Sequence, residues 1–226
     1  YAGGLRALMV ELGDKLDLNA KTVTGKTLGE CIKGSENFNV DVIRTLDNPV
    51  YHEGSLAVLK GNLATNGAVI KPAAMDPKFQ KHKGPAIIAD SYSELKEIIN
   101  DENYPITVDH VLVLRNAGPK GGPGMPEWGM IPMPKALLKQ GHRDMIRLSD
   151  ARMSGTSYGA CILHVAPEAF IGGPLALIKN GDIIEVDIPN RKLNVDISED
   201  EMKKRRNEWV EPEPRFERGY GYIYSK

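Results

Sequence analysis

The segment RMSGTSYG, residues 152–159, places two serines in a glycine-rich turn, where a hydroxyl could act as a nucleophile or a base. Residues 155–159, GTSYG, match the G-x-S-x-G nucleophile elbow of α/β-hydrolases, with Ser157 as the nucleophile. A hydrolase triad also needs a histidine from a separate downstream loop. The last histidine, His164, is only seven residues after Ser157 and is too near to come from another loop. The sequence therefore argues against a hydrolase.

The segment NAGPKGGPGMPEWG, residues 116–129, is a second candidate site. It follows an apolar run at 110–115 that predicts a doubly buried strand, and α/β proteins place ligand loops at such strand ends. It is not a P-loop, because Lys120 precedes a glycine and the prolines remove backbone donors. Glu127 is its only acid, and a carboxylate on a stiff loop suits Mg²⁺. A solvated surface glutamate fits the same pattern.

Composition narrows the class of protein. The chain has 226 residues, 41% hydrophobic and 26% charged, which is ordinary for a globular protein. The net charge of −1 argues against binding to nucleic acid, and no apolar run approaches the ~20 residues that a membrane span needs. Cys31 and Cys161 are too few for a disulfide framework or a complete zinc site, so we expect a reducing, cytoplasmic setting. Cys161 is most simply a small core residue.

Local patterns predict the elements around these segments. Helical spacing predicts a helix over 5–12 that ends at Gly13, and Ser91 and Ser198 open capping boxes that each predict a helix. Apolar patterns predict strands at 85–89, 110–115 and 145–148, a strand or buried helical turn at 160–165, a hairpin over 183–197, and an aromatic strand at 216–224. Residues 134–140 are expected to form a short helix, and the charged run 203–206 is expected to be a solvated helix face. Together these predict a mixed sheet or barrel with flanking helices.

Five segments carry a resemblance to a known family. They are GPKGGPGMPEWGM, SDARMSGTSYG, HVAPEA, GGPLALIKNGDIIEVDIPNRKL and the capped helix that contains KKRR. In this order and spacing, over roughly residues 20–224, the chain resembles the C-terminal part of the dihydroxy-acid dehydratase/phosphogluconate dehydratase family. The sequences of the segments MPEWGM and SDARMSGTSYG look like those of the sugar-acid dehydratases that act on pentonates such as arabinonate and xylonate. The branched-chain enzymes more typically carry TDGRFSGGT-like wording there.

The resemblance implies a fold and a domain division. Residues 21–226 are expected to form an α/β, swivelling β/β/α domain, a barrel-like mixed sheet with flanking helices. Residues 1–20 are expected to be the final helix leading out of an N-terminal catalytic domain. The chain would then be part of a longer protein.

The resemblance also assigns roles to residues. Members of the family are hydro-lyases that remove water from a 2,3-dihydroxy acid, and the resulting enol becomes a 2-keto acid. Ser154, not Ser157, matches the serine proposed to act as an alkoxide base on the C2 proton. Glu127 matches a glutamate ligand to Mg²⁺, and Thr156 matches a residue near the substrate carboxylate. The match of GTSYG to a hydrolase elbow is then a coincidence.

Cofactors and partners follow from the same resemblance. We expect Mg²⁺ and an iron–sulfur cluster, 2Fe–2S rather than 4Fe–4S, with the cluster ligands in the N-terminal domain. Neither Cys31 nor Cys161 matches a cluster position, so the chain alone is expected to be inactive. The expected partners are a small dihydroxy acid, the N-terminal domain and other copies of the full-length protein. His164 is either a residue that supports the site or a buried, hydrogen-bonded strand histidine.

Two alternatives to a sugar-acid dehydratase remain open. One is the dihydroxy-acid dehydratase of branched-chain amino-acid biosynthesis, from the same family. The other is a stand-alone binding module that keeps the fold without catalysis.

Overall fold

The computed structural model describes residues 1–125, 127, 131–155 and 157–225. The chain divides into two compact units, Tyr1–Gly54 and Ser55–Lys226. No helix in the described part of the chain combines the length and the apolar character that crossing a bilayer requires.

The unit Tyr1–Gly54 contains two α-helices, α1 (Gly4–Leu12) and α2 (Leu28–Ile32), and a 3-10 turn over Gly13–Lys15. The predicted first helix is confirmed, and Gly13 ends it with a φ of 48°, a left-handed conformation that favours glycine. Thr27 and Glu30 form a capping box at the start of α2, which satisfies two backbone N–H groups that the helix leaves unpaired.

The unit Ser55–Lys226 is built on one sheet, flanked by helices. Within the described residues, its strands are β1 (Ala57–Leu59), β2 (Gly67–Ile70), β3 (Lys81–Ala89), β4 (Val111–Leu114), β5 (Arg147–Ser149), β6 (Cys161–Ala166), β7 (Ile183–Asp187) and β8 (Lys192–Val195). Its helices are α3 (Tyr92–Asn100), α4 (Lys135–Lys139), α5 (Glu199–Glu208) and α6 (Tyr220–Ser225). The predicted strands at 85–89, 110–115 and 145–148, the hairpin and the capped helices are confirmed, and 160–165 is a strand.

The sheet has the strand order β1-β2-β6-β5-β4-β3-β7-β8. The four central strands β3, β4, β5 and β6 are parallel, and the outer strands pair antiparallel. The two outermost strands, β1 and β8, also meet. The Lys60 carbonyl oxygen, directly after β1, accepts a hydrogen bond from Leu193 N at 3.0 Å, and the Lys60 N–H donates to Arg191 O at 2.9 Å. The sheet is therefore nearly closed, which confirms the predicted barrel-like mixed sheet with flanking helices.

The core of this unit is apolar and continuous. All four residues of β4 are fully buried, as the uninterrupted apolar run predicts for a central parallel strand. Helix α3 packs its buried Leu95, Ile98 and Ile99 against the sheet, and Ser91 caps it by accepting from Glu94 N. The two candidate site segments lie in the connections that follow the parallel strands β4 and β5.

The structure corrects two local predictions. The aromatic segment 216–224 is not a strand, since α6 occupies Tyr220–Ser225 and brings the Tyr220 and Tyr224 rings to 5.5 Å between centroids. The charged run 203–206 is not wholly solvated. Arg205 is mostly buried and pairs with Asp182 and Glu201, because its fork-shaped donor can bind both carboxylates at once.

Candidate active site

The serine-rich loop connects two neighbouring parallel strands, β5 and β6. Because the strands are parallel, the chain must travel from the carboxyl end of β5 back to the amino end of β6. Among the described residues of this connection, 150–155 and 157–160, none is in a helix, and their backbone is bound by residues from other parts of the chain. Contacts to Ser157, Lys71, His164, Asp144 and Arg147 hold the loop.

Ser154 lies in a tight turn that Ser157 closes. The Ser154 N–H donates to Ser157 Oγ at 3.1 Å, and the Ser157 N–H donates back to the Ser154 carbonyl oxygen at 3.1 Å. Both serines are largely buried. The Ser157 hydroxyl thus stabilises the turn by accepting the Ser154 N–H.

Lys71, directly after β2, fixes the same turn from the other side. Its Nζ donates to the carbonyl oxygen of Ser154 at 2.9 Å and to that of Gly155 at 3.1 Å. A lysine ammonium is a compact positive charge with three donors, and two of them are used on this turn. The backbone around Ser154 is therefore held beside a fixed positive charge.

A buried ion pair anchors the far end of the loop. Arg147 Nη2 donates to Asp144 Oδ1 at 3.0 Å and to the Tyr158 carbonyl oxygen at 2.9 Å. Asp144 Oδ1 also accepts from Ala160 N at 2.9 Å, and Arg147 Nη1 donates to Ile131 O at 2.7 Å. Arg147 thus links Ile131, which follows the loop that contains Glu127, to Tyr158 near the end of the serine-rich loop.

Glu127 and the serine loop meet through Arg152. Arg152 Nη2 lies 3.4 Å from Glu127 Oε2, and about half of each side chain is exposed. Arg152 is two residues before Ser154. The fold therefore brings the loop of the predicted metal ligand and the loop of the predicted base to the same region of the barrel.

Two buried carboxylates hold the glycine-rich loop after β4. Asp150 accepts from Ala117 N at 2.9 Å and, through its other oxygen, from Ala169 N at 2.8 Å. Glu168 accepts from Lys120 N and Gly121 N, both at about 3 Å. Three backbone donors of the loop, the N–H groups of Ala117, Lys120 and Gly121, thus bind carboxylates of the protein.

Burial sets the protonation of Asp150. Loss of hydration raises the pKa of this carboxyl from its ordinary value of 3.8 to about 6, although the two amide donors oppose the shift. The nearby Glu168 carboxylate adds to the increase. Asp150 is therefore still ionised at neutral pH and becomes protonated in mildly acidic solution.

The remaining predicted residues have different outcomes. Thr156, predicted to lie near the substrate carboxylate, falls outside the described residues. Cys161 is buried, its thiol donates to Tyr158 O at 3.3 Å, and burial raises its pKa, as suits a core residue. His164 is half-buried and hydrogen-bonded to the serine loop.

Several polar residues of the site escaped the sequence analysis. They are Lys71, Asp144, Arg147, Asp150 and Glu168. Two of them could have been found from the sequence: Arg147 and Asp150 are charged residues inside or beside an otherwise apolar strand. A charged residue at such a position needs a buried partner.

The residues that the structure describes do not form a complete metal or cluster site. Among the described residues, no group of three or more histidine, cysteine, aspartate or glutamate side chains is arranged to hold a metal ion. Glu127 could give Mg²⁺ one carboxylate ligand, whereas this ion prefers six oxygens. Cys31 and Cys161 are two free thiols, fewer than a typical iron–sulfur cluster requires.

The fold and the site together define a barrel-like α/β domain whose glycine-rich loops present a buried serine and an exposed carboxylate. The model of the family described as dihydroxy-acid/6-phosphogluconate dehydratase, C-terminal, matches residues 41–226. The chain belongs to this family, and the resemblance seen in the five sequence segments is confirmed.

Similar proteins bear the names of several dehydratases. The chain is 46% identical to the 6-deoxy-6-sulfo-D-gluconate dehydratase of Pseudomonas putida, covering 100% of this chain and 40% of that protein. It is 44% identical to the L-arabinonate dehydratase of Rhizobium leguminosarum bv. trifolii, covering 100% and 39%. It is 46% identical to the dihydroxy-acid dehydratase of Caldanaerobacter subterraneus subsp. tengcongensis, covering 100% and 40%. The chain thus spans about two fifths of the length of these relatives.

Proposed function

We propose that this chain is the C-terminal portion of a metal- and iron–sulfur-dependent hydro-lyase that converts a sugar acid, an aldonate, into a 2-keto-3-deoxy acid. The observation that carries the proposal is the position of Ser154, buried in a short turn that Ser157 and Lys71 fix through backbone hydrogen bonds. A base that abstracts a proton from carbon must be held in one geometry, and this turn supplies that rigidity.

The chemistry assigns one step to Ser154. Its ionised Oγ takes the C2 proton of the substrate, and the C3–O bond breaks as the C2=C3 double bond of the enol forms. The departing hydroxide takes up the proton that Ser154 holds and leaves as water, and the enol becomes the 2-keto acid. A serine hydroxyl is a poor base at neutral pH unless nearby positive charge favours its ionised form. Lys71, whose Nζ binds the carbonyl oxygens of Ser154 and Gly155, contributes positive charge from within this chain.

The cofactors remain part of the proposal. Mg²⁺ and a 2Fe–2S cluster would supply Lewis acidity, with Glu127 as one Mg²⁺ ligand and the other ligands in the part of the relatives that this chain does not span. Thr156 is proposed to lie near the substrate carboxylate. The domain division at residues 20 and 21, contact with an N-terminal domain and assembly into a homo-oligomer are proposed on the same grounds. The two free thiols accord with a reducing, cytoplasmic setting.

The substrate is the least constrained part of the proposal. Relatives named for sugar acids and relatives named for a dihydroxy acid have nearly the same identity to this chain. The dihydroxy-acid dehydratase of branched-chain biosynthesis is therefore the second candidate, and a non-catalytic module of the same fold is the third. We prefer the sugar acid because the segments MPEWGM and SDARMSGTSYG resemble the corresponding sequences of sugar-acid dehydratases.

The test is a substrate panel with the full-length protein that contains this chain, purified without oxygen and supplied with Mg²⁺. Keto-acid release is measured from L-arabinonate, xylonate, 6-deoxy-6-sulfo-D-gluconate and 2,3-dihydroxyisovalerate. The proposal expects the highest kcat/KM with an aldonate. Preference for dihydroxyisovalerate would favour the second candidate, and activity with none of them, in a protein lacking cluster cysteines, would favour the binding module.

The same assay checks the chain by itself. Reconstituted with iron, sulfide and Mg²⁺, the 226-residue chain is expected to release no keto acid above a control without protein. Turnover that disappears in Ser154→Ala would show that the cofactor sites lie within this chain.

A further inference from the structure

His164 lies in a bulge of strand β6 that faces the serine loop. Gly67 of β2 pairs with Ala166, and Val69 pairs with Leu163, so that the single residue Ala68 opposes both His164 and Val165. Such a bulge inserts one extra residue into a strand and turns its side chain away from the regular alternation. The bulge therefore decides where the imidazole points.

The backbone of His164 is unusual for a residue with a side chain. Its φ is 53°, in the left-handed region where glycine is comfortable and other residues are strained. Histidine is one of the few residue types enriched in this region, and glycine would adopt the same backbone with less strain, so the interactions of the imidazole are of interest. Strain of this kind, when it is observed, points to a functional constraint.

The contribution of the imidazole is a hydrogen bond to the serine loop. The Met153 N–H donates to His164 Nε2 at 2.7 Å, one residue before Ser154. The His164 backbone N–H also donates to Ala151 O at 2.9 Å. The bulge thus holds the loop at two points, of which only the first depends on the side chain.

We propose that His164 is a positioning residue, which holds Ser154 in the geometry of a base by accepting the Met153 N–H at Nε2. This inference rests on the proposed function, because it takes Ser154 as the base. Only a neutral ring with its proton on Nδ1 can accept at Nε2, so protonation of the ring breaks the bond.

The surroundings of His164 bear on its protonation. Burial and, to a lesser degree, the positive charge of Arg152 lower the pKa of His164 below its ordinary value, which favours the accepting form. The carboxylates of Asp150 and Glu168 line the same pocket of about 210 Å³, and both accept backbone amides. The hydrogen bond to Met153 should therefore persist at neutral pH and be lost in acid.

The test uses three forms of the full-length protein: wild type, His164→Gln and His164→Gly. Gln places an acceptor oxygen near the position of Nε2 and does not titrate, whereas Gly keeps the φ and removes the acceptor. The proposal expects His164→Gly to remain folded and to lose on the order of tenfold or more in kcat with little change in KM. His164→Gln should recover most of that kcat, and its acid-side decline should move to lower pH.

A second measurement does not depend on turnover. Relative to the intrinsic exchange rate at each pH, exchange of the Met153 amide should be slow in wild type and His164→Gln and fast in His164→Gly, and this protection should fall in acid in wild type alone. Wild-type kcat in His164→Gly, or equal impairment in Gln and Gly, would overturn the proposal. A Met153 amide that exchanges equally in all three forms would do the same. If wild type dehydrates no acid in the panel, the proposed function fails, while the exchange data still decide whether His164 positions the loop.

Discussion

Arg147 and Asp144 form a buried ion pair at the amino end of β5, with Nη2 and Oδ1 3.0 Å apart and only 4% of each side chain exposed. Each partner also binds the backbone of another segment, Arg147 at Ile131 and Tyr158, and Asp144 at Asp76 and Ala160. Breaking such a pair by removing one partner is strongly destabilising, since a buried charge is left without compensation. The pair therefore stabilises the domain and aligns the two site loops at once.

Gly159 is expected to be required by this pair. Its φ is 79°, and a Cβ there would overlap both Arg147 Nη2 and Asp144 Oδ1. Gly159→Ala should therefore lower the free energy of unfolding by roughly 3 kcal/mol or more, as urea denaturation would measure. The matched control is Gly181→Ala, at a φ of 87° with nothing within 4 Å of the added Cβ. Its loss should be about 1 kcal/mol, from backbone strain alone. Equal losses would mean that the ion pair tolerates the methyl group.

Asp150 should make stability depend on pH. Its pKa in the folded protein is about 6 against an ordinary 3.8, so the folded state holds its proton more tightly than the unfolded state. This contribution to stability is complete below pH 4 and is lost as the pH rises through 6, by up to about 3 kcal/mol. Unfolding free energies between pH 4.5 and about 7.5 in wild type and Asp150→Asn would measure it.

The comparison isolates Asp150 from other titrating groups. His164 has a lowered pKa, so its contribution rises with pH below its ordinary value of 6.5 and opposes that of Asp150. Because His164 is present in both proteins, its effect cancels in the difference. Identical pH profiles in wild type and Asp150→Asn would contradict the assignment.

Under the proposed function, Glu127→Gln should weaken the proposed Mg²⁺ dependence of the full-length protein without unfolding it. The side chain is about half exposed and pairs only loosely with Arg152 at 3.4 Å, and such surface pairs contribute at most about 1 kcal/mol. A hard cation, in contrast, prefers the anionic oxygen that the amide lacks. Titration of activity with Mg²⁺ would measure the change.

Glu185→Gln serves as the control for this substitution. Glu185 also lies 3.4 Å from a cationic partner, Lys83, and it sits on strand β7, outside the site loops. Its substitution should leave the Mg²⁺ requirement unchanged. If Glu127→Gln behaves in the same way, Glu127 is a solvated loop residue and no metal ligand.

Much of the fold was predictable because its signals are local. The caps at Ser91 and Ser198 and the apolar run of β4 each specify an element within a few residues. The segment at 216–224 misled because tyrosines at 220, 222 and 224 alternate like a strand, while 220 and 224 also have helical spacing. The sequence pattern alone does not decide between those two periods, and α6 buries none of its residues.

The support of the site was less predictable because it is assembled from distant parts of the chain. Lys71 binds the carbonyl oxygen of Ser154, which is 83 residues away in the sequence, and no local pattern predicts that contact. Ser154 and Glu127 were chosen through the family resemblance, and their roles stay predictions. The position of His164 depends on a bulge, which apolar periodicity does not reveal.

The most direct test of the proposed function compares Ser154→Ala with Ser157→Ala in the full-length protein, with Ser157→Thr as a control that keeps an acceptor hydroxyl. Ser154→Ala removes the proposed base and should lower kcat by ~10²–10⁴-fold or more. Ser157→Ala removes one acceptor of the Ser154 N–H, a bond worth about 1 kcal/mol, and should cost roughly tenfold at most. Ser157→Thr should lie close to wild type. The measurement is steady-state kcat on the aldonate with the highest kcat/KM. A large loss confined to Ser154→Ala is the result expected if Ser154 is the base. Equal losses in both alanine variants would contradict that role.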